Sequence, residues 1–232
     1  MKEQLSSRRQ FVTRTGKLAS ALSLTGIMTP QIAAATADRL SSVDVAGEWD
    51  LSWLTPLAKA TDRAVFDWPG LGDPADPIVL EIAERYLDNC AAAYAPRKYD
   101  ARVVLNIRTQ AVAAALNDGM WDRYALGAEY KTTDPVSKGA AVRNPFWHRA
   151  PDPLPGITLP SLADMVQRGA IILVCDFALG HLSKRLADKL KREEADVHRD
   201  LRSGFVPGAF AVPSGIFGLA KSQNAGCAFI RM

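Results

Sequence analysis

Between residues 61 and 232, short unbroken apolar runs take turns with stretches whose apolar positions recur at helical spacing. Arg63-Ala64-Val65-Phe66-Asp67 reads as a first strand, closed by the turn signal Pro69-Gly70. Asp76 and Pro77 supply an N-cap and a first-turn proline for a helix reaching about residue 94, which Pro96 prevents from continuing. Ile78, Ile82, Tyr86, Cys90 and Ala93 form its expected apolar face, so Cys90 reads as a packed thiol. Residues 102–107 form the expected second strand, and 110–117 a short alanine-rich helix that Gly119 caps. Ser161 and Asp164 have capping-box spacing, and Gly169 closes the helix they open.

The next run, Ile171-Ile172-Leu173-Val174, is dense in β-branched residues and suits a strand covered on both faces, as in a parallel sheet. It ends in Cys175. Beyond it Leu179, Leu182, Leu186 and Leu190 mark the inward stripe of a helix, with the charge run 191–194 as its solvated end. A strand near 209–212, a helix from Ser214 to about Gln223 and a last strand over 226–230 complete the chain. Strands alternating with helices predict a doubly wound α/β domain over residues 61–232. One segment breaks the rhythm. Residues 119–160 hold six prolines and five aromatics with little periodicity, and long structureless connections of this kind are often lids or binding loops. Trp121, Tyr124, Tyr130, Phe146 and Trp147 suit either a pocket cover or a subunit contact, and Trp121, Asn144 and Phe146 are the candidate pocket residues.

The amino-terminal residues alter the reading of charge and compartment. Arg8-Arg9 precede a weakly apolar stretch and then Ala33-Ala34-Ala35-Thr36-Ala37, the order of a twin-arginine export signal over residues 1–37. The expected protein is therefore periplasmic or secreted, handled by the twin-arginine translocase. The chain has 28 basic and 25 acidic residues; without Lys2, Arg8, Arg9, Arg14, Lys17 and Glu3 it has 23 and 24. The basic excess belongs to the leader, which removes the electrostatic argument for nucleic-acid binding. No later apolar run approaches the roughly 20 residues that span a bilayer. Residues 38–60 form an arm with two tryptophans, Trp49 and Trp53, expected to pack across the domain or a neighbouring subunit.

Chemistry centres on Cys175. A thiol at the carboxyl end of a buried strand and the start of a helix sits where open α/β sheets place their ligands, and the helix dipole favours its anion. Asp176 opposes that by like-charge repulsion. Two readings follow, a reactive thiol or a structural strand-end cysteine. Arg108, at the corresponding edge of the second strand, is either an anion stabiliser for the thiolate or an exposed loop arginine. His181 lies six residues after Cys175, off its side of the helix turn, so no Cys-His pair is expected. A Cys175–Cys227 disulfide is a further structural possibility. His148, His181 and His198 are scattered without metal-ligand spacing, and neither a phosphate loop nor a G-x-S-x-G elbow occurs, so no metal or cofactor is expected.

The blocks Gly169 to Leu179 and Val212 to Ile230 are similar to the strand, cysteine and helix, and to the closing helix and strand, of the DsrE/DsrF-like sulfur-relay family. The resemblance implies a flavodoxin-like three-layer sandwich with a five-stranded, mainly parallel sheet, assembled as a homo-oligomer, trimer or hexamer. It also implies a persulfide carried on Cys175 and exchanged with a sulfur donor or acceptor protein. Asn117-Asp118-Gly119-Met120-Trp121 and Arg143-Asn144-Pro145-Phe146 resemble an exported branch of that family. The competing expectation is a non-catalytic small-ligand or subunit-interaction module of the same fold.

Overall fold

The computed structural model of the chain describes residues 49–97, 99–152 and 158–232. The Arg8-Arg9 pair, the cleavage site and residues 38–48 of the arm lie outside the described residues. The elements run α1 (Leu54–Lys59), β1 (Asp62–Trp68), α2 (Ile78–Tyr94), β2 (Ala101–Ile107), a 3₁₀ segment (Thr109–Ala115), α3 (Asp118–Arg123) and α4 (Leu126–Tyr130). They continue α5 (Leu162–Gln167), β3 (Ile171–Cys175), α6 (Asp176–Leu190), α7 (Glu194–Ser203), β4 (Ala209–Val212), α8 (Gly215–Asn224) and β5 (Ala228–Arg231).

The five strands are all parallel, in the order β4-β3-β2-β1-β5, and helices flank both faces in a flavodoxin-like three-layer α/β sandwich. Strand alternation divides the sheet's side chains between two cores. Ala64, Phe66, Trp68, Val103, Leu105, Ile107, Ile172 and Val174 face the larger one. Val65, Val104, Ile171, Leu173 and Val212 face the smaller, beneath α8 and the arm residues Trp53 and Leu57. Topology explains the split. The chain steps from β1 to β4 in one direction, and right-handed crossovers put those connecting helices on one face. The return from β4 to β5 reverses direction, which puts α8 on the other face, where it packs across all five strands.

Several elements depart from the hydrophobic pattern. The buried face of α2 is Val79, Leu80, Ala83 and Leu87; Ile78 is half exposed, and Ile82 and Tyr86 pack only partly. The run Ile78-Val79-Leu80 offers two adjacent stripes, and packing against β1 and β2 selects the one continued by Ala83 and Leu87. The alanine-rich stretch is a buried 3₁₀ segment, and Asn117 opens a helix where the pattern ends one: its side chain accepts from Met120 N at 3.1 Å. The charge run after Leu190 leads into α7, whose Val197 and Leu201 are buried. An amphipathic helix with two core residues carries too little apolar periodicity to stand out among so many charges.

The described residues of the 119–160 segment include a packed part of the domain. Trp121 is fully buried and donates from Nε1 to Ala113 O at 2.9 Å. Asn144, also fully buried, donates to Ala114 O and Leu116 O at 2.8 and 2.7 Å and accepts from Phe146 N and Trp147 N. Phe146 meets the Trp68 ring edge-on at 5.8 Å. Gly127 lies so close to the Ala141 backbone that a side chain there has no room. Asp200 of α7 ties the segment down, accepting from Tyr124 Oη and Arg123 Nη1, both at 2.6 Å.

Two stability measurements follow. Asn144→Ala strands buried backbone groups and should lower the unfolding free energy in urea by about 2–4 kcal/mol, whereas Lys138→Ala on the surface should change it little. The Tyr124 hydrogen bond, with Arg123 second, holds the Asp200 carboxyl below its ordinary value. A depressed carboxylate contributes stability fully present above the ordinary value near about 4 and lost as pH falls through the lower folded value. Acid denaturation of Asp200→Asn should therefore show a shallower loss of stability below about pH 4 than the parent.

Candidate functional site

Parallel strands bring their carboxyl ends to one edge, and the polar residues of this fold gather there. In the β2–β3 register Ile107 pairs with Val174, so Arg108 and Cys175 follow at neighbouring positions. The strand adjacency on which an Arg108–Cys175 relation depends is present. Cys175 is 5% exposed, forms the N-cap of α6, and its Sγ accepts from Ala178 N at 3.4 Å. Sulfur accepts weakly, and its acceptance strengthens when it carries charge.

Arg108 is not an unengaged loop residue. Its Nε and Nη2 donate to Asp67 Oδ1 and Oδ2 at 2.7 and 2.6 Å, a bidentate pair with a buried carboxylate at the end of β1. Asn106 Nδ2 donates to the same Asp67 Oδ1 at 3.3 Å. The hydrogen bonds to Asp67 raise the Arg108 guanidinium above its usual range, and the field of Cys175 adds to this. Asp67 thus orients Arg108 and offsets much of its charge, leaving the Nη1 side for a further anion.

The helix α8 roofs this polar row at close range. A Cβ at Gly218 would meet Asn106 Oδ1 at 2.5 Å, and one at Gly215 would meet Arg108 Cβ and Cδ at 2.8 Å. Glycine at both positions is what allows the approach. Thr109, next to Arg108, has φ +49°, a strained value for a β-branched residue, held by its hydroxyl donating to Pro69 O at 2.6 Å. Arg108 N donates to Trp68 O at 3.0 Å, so the ends of β1 and β2 are fastened on both sides of the guanidinium.

Asp176 reaches α7, where Oδ1 lies 3.1 Å from His198 Nε2 and 3.6 Å from Arg202 Nε. His181 packs edge-on to Phe177 with centroids 4.8 Å apart. A cleft of about 610 Å³ runs between α6 and α7, lined by Asp176, Phe177, Gly180, His181, Lys184 and His198 among others. Phe177 and Ile216, at the first turns of α6 and α8, are 68% and 77% exposed beside this edge.

The other expected partners are elsewhere. Cys227 precedes β5 at the opposite, amino edge of the sheet, three strand spacings from β3, and both thiols are free; this excludes the Cys175–Cys227 disulfide. Burial pushes the Cys227 thiol up to about 11, as befits a packed group. Trp121 and Asn144 are fully buried, and the chain's own backbone satisfies the Trp121 indole N–H and the Asn144 amide. Phe146 does border a small apolar groove of about 290 Å³ with Trp68, Leu71 and Met232. Asp67, Asn106, Thr109, His198 and Arg202 escape sequence reasoning. An aspartate interrupting the apolar strand after Phe66, and an asparagine within Leu105-Asn106-Ile107, were the available signals, since strand interiors seldom hold unpaired polar groups. Among the described residues no group of three or more His, Cys, Asp or Glu side chains is disposed to hold a metal ion.

No family model matches the chain, and no curated protein matches it. Among solved structures, a protein of unknown function from Methanobacterium thermoautotrophicum is similar over 74% of this chain and 99% of its own, at 13% identity and a TM-score of 0.35. A likeness that distant carries no argument about function, and the fold assignment stands on the strand order and pairing above.

Removing the Asp67 carboxylate should release Arg108 from the sheet edge. Asp67→Ala is expected to cost about 1–3 kcal/mol in urea unfolding, discounted because Arg108 remains partly solvated, while Asp67→Asn should cost less by keeping one acceptor.

Proposed function

We propose that the protein is an exported DsrE-like sulfur carrier that holds sulfane sulfur as a persulfide on Cys175. The observation that carries this reading is the Sγ of Cys175 on the Ala178 N–H at the start of α6, with the Arg108 guanidinium at the end of the neighbouring strand. In the step proposed, the Cys175 thiolate attacks the outer sulfur of a sulfane donor. A new S–S bond forms as the donor's own S–S bond breaks, and the donor leaves as its thiolate or sulfite. An acceptor thiolate then takes the terminal sulfur from the Cys175 persulfide and returns Cys175 as thiolate. Neither half needs an outside oxidant. The Ala178 N–H and Arg108 favour the anionic sulfur, and Asp67 holds Arg108 in position.

The leader over residues 1–37 supports a periplasmic or secreted location reached through the twin-arginine translocase. Among the described residues no helix is long and apolar enough to cross a membrane. Phe177 and Ile216 beside Cys175 suit contact with another copy of the chain, in a trimer or hexamer, or with a sulfur donor or acceptor protein. One observation favours the competing reading, a non-catalytic ligand or interaction module: Cys175 is only 5% exposed, so a donor reaches its sulfur through a narrow opening.

Peptide mass spectrometry after treatment with inorganic polysulfide separates the two. The carrier reading expects added sulfur on Cys175, removed by dithiothreitol, and several-fold lower loading in Arg108→Ala. A Cys175 peptide without added sulfur, or equal protein labelling in Cys175→Ser, would sink it.

A further inference from the structure

A carboxylate at the residue after a nucleophilic cysteine opposes its ionisation by like-charge repulsion. Asp176 occupies that position, and the structure sets against it a helix that the sequence pattern concealed. His198 and Arg202 stand one turn apart on α7 and both reach the Asp176 Oδ1, at 3.1 and 3.6 Å. That oxygen is buried and makes no aligned hydrogen bond, so any charge on the two side chains acts on it through space more than through bond geometry. Arg202 is held in turn by the arm, its guanidinium carbon 5.0 Å from the centre of the Trp49 ring. The bonds from Arg123 and Tyr124 to Asp200 fasten the same helix to the segment after β2.

Charge near Cys175 also comes from the adjacent strand. β2 contributes Arg108, already paired with Asp67 of β1. The turn from β4 into α8 contributes Val212, Ser214 and Gly215, none of them ionisable. Asp176 directly follows Cys175 in the chain, and the cations that reach its carboxylate come from α7.

We propose that His198 and Arg202 are positioning residues that cancel the charge of Asp176 and thereby set how readily Cys175 ionises. Arg202 is charged across the whole accessible pH range, whereas His198 is charged only when protonated. Cancellation is fullest in acid and rests on Arg202 alone once the imidazole is neutral. The inference depends on Cys175 being the reactive thiol, not on what that thiol carries.

The test is the rate at which iodoacetamide alkylates Cys175 in the full chain, followed by peptide mass spectrometry across pH. Arg202→Gln should slow alkylation at pH 7 by about three- to ten-fold and move the rate profile to higher pH, and Arg202→Lys should restore most of the rate. In the Asp176→Asn background the same Arg202→Gln change should slow it clearly less. His198→Gln should slow alkylation below about pH 6, where an ordinary histidine is protonated, and serves if Arg202→Gln does not fold. An unmoved profile in the folded variants, or equal slowing with and without Asp176, overturns the proposal. Iodoacetamide involves no sulfur transfer, so a Cys175 that alkylates as expected but takes no sulfur refutes the carrier reading and leaves this charge relation standing.

Discussion

The bidentate pair between Asp67 and Arg108 is the interaction on which the carboxyl edge of the sheet depends. A carboxylate buried at a strand end is tolerated only with its charge and lone pairs met, and here a guanidinium from the adjacent strand meets both oxygens. The pair joins the ends of β1 and β2, fixes the line of the Arg108 side chain, and leaves a flat polar surface. The helix α8 lies on that surface through Gly215 and Gly218. A bulkier residue at either position would lift α8, and with it the cover of the smaller core. Packing, polar satisfaction and the orientation of the candidate site are thus one constraint.

Cys175 occupies the neighbouring strand end, where it caps α6 and its sulfur accepts from one backbone N–H. Each carboxylate has its own answering cation: Arg108 for Asp67, and the α7 pair for Asp176. The arrangement also draws remote parts of the chain into the site. Trp49 of the arm steadies Arg202, and the segment after β2 anchors α7 through Asp200.

That segment illustrates why aperiodic sequence misleads. Residues 119–160 lack a repeating apolar pattern, and the described side chains among them that are buried, such as Trp121, Leu126 and Phe146, fill irregular space in the larger core. Asn144 replaces regular backbone pairing by bonding four main-chain groups itself. Its fully buried neighbour Trp121 does the same through one N–H. Aromatic and amide residues suited to a ligand pocket serve here as internal fasteners, and the chain's own backbone takes the place of the ligand.

Local patterns in the chain suffice for the alternation of strands and helices, the Cys175 strand end, the capping box at Ser161 and Asp164, and hence an α/β sheet with a thiol at its carboxyl edge. Those features are local: a β-branched run, a helical stripe and a cap each declare themselves within a few residues. The strand order, the pairing of Arg108 with Asp67, the presence of α7 beside Asp176 and the separation of Cys175 from Cys227 emerge in the folded chain alone. Each of these joins residues far apart in the chain, and charges carry no periodicity that would announce their partners. The buried stripe of α2 belongs with them, since two adjacent apolar faces compete in the sequence and only the shape of the sheet beneath chooses between them.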